Sequence, residues 1–263
     1  MPDPRLEAAL ACADTFYNQM FRTWPSAVTE RHDTYTLSYS GDVRLTGANH
    51  LWPHTPDALT AEALHAAECF FAPYNAAWSV IYTDTYLLHA ASFLAEHGYT
   101  VRWSSPLMVL DTPPHRLPVN PAVRVVRATA PRHIEHVRQV MTEAFATNSS
   151  INHRVARPEH LPAEDVIHYL VYSDDEPAAC ATLSLCEGMG GVWNVGTRYR
   201  FRRRRCATTI MLALLDDLHA RGIPASMLMA SSSGYPLYEQ LGYRPVGITC
   251  YMGPPFYPPR RDI

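Results

Sequence analysis

The chain contains no lysine: all 22 of its Lys/Arg positions are arginine. That excludes a lysine nucleophile and Schiff-base chemistry. Neither sign of charge dominates, because the net charge is only −3. The whole molecule is therefore no polyanion binder, and any basic site has to be local. Long apolar runs are missing too. No stretch approaches the roughly 18 residues that would span a bilayer. The opening "MPDPRLEAAL" has proline and acids where a secretion signal needs a basic region and an apolar core. These absences predict a cytoplasmic protein without membrane contact. The six cysteines (12, 69, 180, 186, 206 and 250) form no CxxC pair. They read as small, unpaired, buried hydrophobes of a reducing compartment, and no zinc site is expected. His133 and His136 lie three residues apart on a helical stretch, but no third ligand converges, so they read as surface residues. No serine is matched with a base histidine in a way that suggests a nucleophile.

What is present is a core-forming composition, 47% hydrophobic over 263 residues, enough for one large domain or two ordinary ones. The clearest boundary is "DTPPHRLPVNPA", residues 111–122, with four prolines and no apolar periodicity. It reads as a linker between an N-terminal domain over 1–110 and a second over 123–263. In the first part, residues 5–22, "TAEALHAAECFF" and "TYLLHAASFLAEHG" read as helices. "YTLSYS", "VRLTG", "WSVIYTD" and "YTVRWSSPLMVLD" read as strands. In the second, "VRVVRAT" is a strand and a helix starts at Pro131, whose fixed φ suits a first turn. "VIHYLVYS" and "AACATLSLC" form a hairpin about the turn-rich "DDEP". After the strand "GVWNVGT", residues Ala207, Ile210, Met211, Leu214, Leu215 and Leu218 repeat at helical spacing up to Gly222. A strand "ASMLMAS", a short helix "YPLYEQL" and a closing strand "YRPVGITCYM" complete a mixed α/β pattern.

The two parts end alike. "FLAEHGYTVRWSSPLMVL" and "LYEQLGYRPVGITCYM" each give a helix, a Gly-aromatic stop and a strand. Setting Gly98 against Gly242 puts Leu94 opposite Tyr238, an internal repeat whose first copy lacks the hydroxyl.

Two segments carry chemistry. In "NVGTRYRFRRRRCATTI", four arginines stand between a strand and a helix N-terminus, where backbone N–H groups and the helix dipole attract phosphate. In "SSSGYPLYEQLGY" a tyrosine sits one turn before a Gly stop. Residues 123–252 resemble the GNAT superfamily of acyl-CoA N-acyltransferases in both segments. Val195, Gly196 and Thr197 match the family's strand end. Arg202 matches the leading Arg of its R-G-x-G-x-G/A pyrophosphate loop, and Ala207 the final small residue. Ser231, Gly234, Leu237, Tyr238, Leu241, Gly242 and Tyr243 match its S-x-x-G-x-x-L-Y-x-x-L-G-F/Y segment. Arg203 and Arg205 depart from the pattern, because they occupy the glycine positions that let the backbone approach the pyrophosphate.

The resemblance implies an α/β mixed-sheet fold with two GNAT-like halves in tandem, the C-terminal one catalytic. It implies an acyltransferase moving an acyl group from a thioester, most commonly acetyl-CoA, to a primary amine of a small molecule. Attack is direct within a ternary complex, without a covalent enzyme intermediate and without a metal. Donor contacts would come from Val195, Thr197, Arg202, Arg203, Arg204, Arg205, Cys206, Ala207 and Ser231. The strand bearing Trp193, Asn194 and Val195 would splay from its neighbour, with the Val195 amide polarising the acyl carbonyl and Trp193 and Asn194 facing the acceptor. Tyr238 would protonate the departing thiolate. Glu187 is the candidate general base. The N-terminal copy would wall the acceptor cleft through "GANHLWPHTP", with Asn49, His50 and Trp52.

Three readings of the arginines stay open on sequence alone. They are a solvated charge run, or guanidinium forks that replace backbone donors and hold CoA phosphates. The third is a basic rim over Arg198–Arg205 for a polyanionic donor, an aminoacyl-tRNA or an acyl carrier protein. A catalytically dead GNAT fold that binds a ligand or partner is the alternative outside enzymology: the lost glycines favour it and the intact "PLYEQLGY" opposes it.

Overall fold

The computed structural model describes residues 4–55, 57–146 and 149–254, without the side chains of residues 149 and 150. The chain forms two compact units, residues 4–6, 24–107 and 245–254 in the first and residues 7–23 and 108–244 in the second. This division departs from the boundaries expected at 110 and 123. The chain crosses between units inside a strand, between Leu107 and Met108. Residues 111–122 are no free linker but are pinned along the second unit. His115 N–H donates to Leu241 O, Asn120 N–H to Thr209 Oγ1, and Arg116 pairs with Asp216.

The first unit has β1 (Val28–Arg31), β2 (Tyr35–Tyr39), β3 (His50–Pro53), α2 (Ala61–Phe71), β4 (Ser79–Thr83), α3 (Ala90–Glu96) and most of β5 (Thr100–Leu110). Its strands lie in the order β1-β2-β3-β4-β11-β5, where β11 (Arg244–Gly253) pairs antiparallel with β4. The β3–β4 pair is parallel. Helix α2 starts where the Thr60 side chain accepts the Ala63 N–H, so an orphan donor is capped. Its Leu64, Ala67, Phe70 and Phe71 pack on Leu37, Leu51, Val80 and Leu94.

The second unit has α1 (Pro4–Phe21, from residue 7), β6 (Val123–Arg127), α4 (Pro131–Phe145), α5 (Ser149–Val155), β7 (Val166–Ser173) and β8 (Glu176–Cys186). It continues with β9 (Met189–Thr197), α6 (Cys206–Ala220), β10 (Ala225–Met229) and α7 (Tyr235–Leu241). Strand order is β10-β9-β8-β7-β6, antiparallel except for the parallel β9–β10 pair. The period of two along β7 and β8 splits their side chains between two cores. Tyr169, Val171, Ala179, Ala181 and Leu183 meet Ile210, Met211, Leu214, Leu215 and Leu218 of α6. Leu170, Tyr172 and Cys180 meet Ile134, Val137, Val140 and Met141 of α4. The "DDEP" turn places Asp174 and Asp175 at φ 52° and 60°, the conformation that joins antiparallel strands through two residues.

The repeat extends through five elements, β3-α2-β4-α3-β5 against β9-α6-β10-α7-β11. The helix stops are bonded alike. Tyr99 N–H donates to Leu94 O, as Tyr243 N–H does to Tyr238 O, each beyond a glycine of positive φ (79° at Gly98, 102° at Gly242).

Three sequence expectations are corrected here. The stretch "VRLTG" is a run of turns rather than a strand, because Asn49 accepts from Ser40 N–H and donates to Asp42 O and Ala77 O, folding the chain back. β1, β3 and α5 were not expected as elements. The cysteines are not all unpaired and buried: Cys12 of α1 and Cys186 at the end of β8 form a disulfide, and Cys69 is exposed. Thiol titration of the denatured, unreduced protein should give four thiols, and six after reduction, whereas six in both cases would rule the crosslink out.

A buried polar chain crosses the second unit. Thr23 Oγ1 donates to Met20 O, so it must accept from His160 Nε2–H at 2.9 Å. His160 Nδ1 then accepts from His168 Nε2–H (3.1 Å), and His168 Nδ1 from Thr182 Oγ1–H (2.9 Å). Both rings are thereby neutral. Burial holds His168 down at about 3 and His160 at about 4, as it holds His50 of the first unit at about 3. In the unfolded chain all three take up protons near 6.5, so the unfolded state gains protons first as pH falls. Stability is full above about pH 6.5 and falls towards pH 4, by up to about 1.4 kcal/mol per pH unit for each group. Urea midpoints between pH 7 and pH 4 should fall accordingly, and His168→Gln should flatten the slope by about one proton. An unchanged slope in that variant would contradict the buried neutral assignment.

Candidate functional site: a splayed strand beside an arginine loop

Strand β9 runs alongside β10 only from Met189 to Val192. Beyond Val192 it continues to Thr197 while β10 ends, so Trp193–Thr197 has no strand on that edge among the described residues. On its other edge the register jumps from Trp193↔Thr182 to Gly196↔Cys180, which leaves Asn194 and Val195 in a bulge. Asn194 takes φ 53°, a left-handed conformation that Asn tolerates better than most residues. Cys180 Sγ–H donates to Asn194 O at 3.4 Å. The Asn194 Nδ2 atom is buried with no hydrogen-bond partner among the described residues. Unpaired backbone on an open strand edge is the surface to which an extended ligand adds as a further strand.

Tyr238 lies on α7, which follows β10 directly. Its ring rests against the turn at Gly234, where a Cβ would come within 2.8 Å of Cε2, so only glycine permits the approach. The residue is 7% exposed, and among the described residues its hydroxyl has no partner. Burial pushes its pKa up to about 12, which keeps the phenol protonated and able to donate. Neighbouring Tyr243 differs, since its hydroxyl is bonded to Ser226 Oγ at 2.7 Å. Ser231 Oγ accepts the Gly234 N–H (3.2 Å) and so shapes the turn before α7.

The arginine loop has an unusual backbone. Arg203 and Arg205 stand at φ 62° and 58°, in the left-handed region that costs an L-residue roughly 1–2 kcal/mol. Two arginines thus hold a conformation that glycine adopts at no steric cost. Arg205 is the N-cap of α6 and contributes no side-chain cap, so the first turn's N–H groups point outward unclaimed by a capping side chain. Asn120 Nδ2 holds the Arg204 carbonyl at 2.9 Å. Arg202 braces the loop, its guanidinium on Thr197 O and Ala144 O at 3.3 Å.

Several expected site residues are placed otherwise. Arg198 does not belong to a basic rim. It is 5% exposed, donates to Glu143 and Pro177 O, and holds the Glu143 carboxyl below its ordinary range. Arg200 is paired with Glu176. Cys206 is buried, with its thiol against the Phe201 and Arg204 carbonyls on the inner side of the loop. Ala207 follows it in the first turn of α6. Glu187 lies at the β8–β9 turn, the far end of β9, with roughly 20 Å of extended strand between it and Asn194. Trp193 stacks on Phe16 (4.1 Å between centroids) and donates to Ser184 Oγ. Asn49 and Trp52 are buried in the first unit, Asn49 with its amide committed to backbone, so neither is presented as a loop contact. His133 Nδ1 accepts the Thr129 N–H and His136 Nδ1 meets Tyr172 OH. No group of three metal-ligating residues converges among the described residues, and no helix there is long and apolar enough to cross a membrane. Cys180, whose thiol meets the Asn194 carbonyl at the bulge, reads from sequence only as a buried hydrophobe, because its partner is set by strand register.

The sequence profile of the acetyltransferase (GNAT) domain matches residues 188–246, which span the splayed strand, the arginine loop and Tyr238. A GCN5-related N-acetyltransferase from Kribbella flavida superposes with a TM-score of 0.73 at 18% identity, covering 94% of this chain and 96% of that one. The chain has the GNAT fold. A GCN5-related N-acetyltransferase from Sphaerobacter thermophilus is similar over 95% of this chain and 91% of its own, with a TM-score of 0.62 and 15% identity. A tandem GNAT protein from the clavulanic acid biosynthesis pathway is similar over 92% and 94%, with a TM-score of 0.62 and 12% identity. No curated protein sequence matches this chain.

Proposed function

We propose that the protein is an acyltransferase that takes an acyl-CoA, foremost acetyl-CoA, and passes the acyl group to a primary amine of a small molecule. The observation that carries this reading is the parting of β9 from β10 after Val192, with a bulge at Asn194 and Val195 on the freed strand. A pantetheine arm suits such an edge, because its amides can take the place of the missing strand. The uncapped α6 N-terminus and the left-handed Arg203 and Arg205 suit its phosphates.

The thioester supplies an activated carbonyl. The backbone N–H groups of the bulge donate to the carbonyl oxygen as negative charge grows on it. Tyr238 gives its proton to the departing thiolate. With Glu187 at the other end of β9, the amine proton passes to water. The domain roles follow from the repeat: the second copy holds Tyr238, and the first has Leu94, fully buried, at the matching position.

The test is calorimetry with acetyl-CoA and with bulk tRNA at two salt concentrations, joined to detection of free CoA thiol in the presence of a panel of primary amines. Micromolar CoA binding with a shallow salt slope and amine-dependent thiol release is expected. Binding of tRNA alone, falling steeply with salt, would overturn the acyl-CoA reading in favour of an aminoacyl-tRNA donor.

A further inference from the structure

Helix α1 buries one stripe, Ala9, Cys12, Ala13, Phe16 and Met20, at the spacing of a single helix face. That stripe meets the β8–β9 hairpin. Cys12 Sγ lies 4.0 Å from Met189 O, and Gln19 Nε2–H donates to Leu185 O at 2.8 Å. Phe16 stacks flat on Trp193, with 4.1 Å between centroids and 9° between planes. The indole is closely fitted on its other side. Its Nε1–H donates to Ser184 Oγ, and a Cβ on Gly191 would come within 2.5 Å of both atoms. Trp193 is the last residue before the bulge at Asn194 and Val195, so α1 holds the side chain from which the freed strand departs. The Cys12–Cys186 crosslink is the covalent tie on this face, its Cα atoms 5.6 Å apart, the usual span of a disulfide. Cys12 is 1% exposed, but Cys186 is half-buried beside the exposed Glu187–Gly188 turn. The other four cysteines are free thiols, with Cys69 exposed, so the chain is no disulfide-stapled scaffold. A lone crosslink among free thiols is of the kind that opens and closes with the redox state around it.

We infer that the Cys12–Cys186 crosslink is a redox switch: closed, it fixes α1 so that Phe16 holds Trp193 and the splayed strand is shaped for the amine; open, it frees α1. Its effect on the amine rests on the transfer reading above, and its effect on α1 does not. The opening step is thiol–disulfide exchange with a dithiol reductant. A thiolate of the reductant attacks Cys186 Sγ, the more open sulfur, and the Cys12 sulfur leaves as thiolate. The reductant's second thiol then displaces Cys186 from the mixed disulfide. Two electrons and two protons pass to the protein, which ends with two thiols, and the reductant ends as a disulfide. Oxidised glutathione runs the exchange backwards. Once open, the Phe16–Trp193 stack and the Gln19 bond alone tie this part of α1 to the hairpin among the contacts named here.

The experiment compares three forms of the full chain: treated with oxidised glutathione, reduced with dithiothreitol that is then removed, and Cys186→Ser, which leaves buried Cys12 in place. Hydrogen exchange reads α1 without any need for activity. Amides of residues 7–21 should exchange about 10-fold or more faster in the reduced chain and in Cys186→Ser, with α6 unchanged. In an assay that measures the acylated amine, the KM for the amine should rise roughly 2–10-fold in those two forms, the range for a lost aromatic pair. kcat and CoA affinity should stay nearly unchanged. Reoxidation should restore the wild type and not Cys186→Ser. Equal exchange in both redox states, or a crosslink that dithiothreitol opens only after denaturation, would overturn the switch. Faster exchange with an unchanged amine KM would overturn its hold on the strand. If neither state acylates an amine, the transfer reading falls, and hydrogen exchange alone decides the switch.

Discussion

Tyr238→Phe is expected to lower kcat by roughly 10–1000-fold while leaving CoA affinity nearly unchanged, the signature of a group that acts on the leaving thiolate rather than in ground-state binding. The structure makes this a clean substitution. The hydroxyl has no protein partner among the described residues, so its removal orphans nothing, and the ring keeps its place against Gly234. The control is Tyr243→Phe, which breaks the bond to Ser226 and should cost about 1 kcal/mol of stability with little change in kcat. Since burial holds the Tyr238 phenol up at about 12, its ionisation should impose no alkaline limb on the rate below about pH 11. Equal turnover by wild type and Tyr238→Phe would remove Tyr238 from the chemistry.

Much of the second unit was legible because its signals are local. α6 showed itself through apolar residues at helical spacing, and the same residues fill its core contact. The Asp174–Asp175 turn and the glycine stops at 98 and 242 were readable because each needs a particular backbone conformation. The repeat was readable at its ends for the same reason. What escaped was set by contacts distant in sequence. Nothing in residues 5–22 tells that most of this helix joins the second unit, and Cys12 and Cys186 are separated by 174 residues. Composition made "GANHLWPHTP" resemble a binding loop. Burial instead places Asn49 where its amide satisfies three backbone groups and Trp52 inside a strand. Glu187 lies before the start of β9 rather than beside the bulge at Asn194, because closeness in sequence along an extended strand is not closeness in space.

The arginine loop is where sequence and backbone pull apart, and it allows the second large effect to be separated into parts. Arg205→Ala removes a guanidinium but keeps a Cβ and the left-handed backbone at φ 58°. CoA binding should weaken by about 1.5–3 kcal/mol, or roughly 10–150-fold, as for a lost charge-assisted hydrogen bond. Arg205→Gly removes the same charge but also the Cβ and the strain. It should be more stable than the alanine variant by about 1 kcal/mol, and it opens the backbone path to a diphosphate. Its CoA affinity should therefore lie above that of Arg205→Ala. Arg203→Gly at φ 62° should show the same gain over Arg203→Ala. Arg202 differs, because its guanidinium already serves Thr197 O and Ala144 O, so Arg202→Ala should loosen the loop and lower affinity indirectly. Titrating CoA into the paired Ala and Gly variants, with urea midpoints alongside, divides charge from backbone. If the glycine variants gain stability but bind no better than the alanine variants, the phosphates are held by side chains alone. If no arginine variant changes affinity by more than a few tenths of a kcal/mol, the run is solvated charge and the donor's phosphates lie elsewhere.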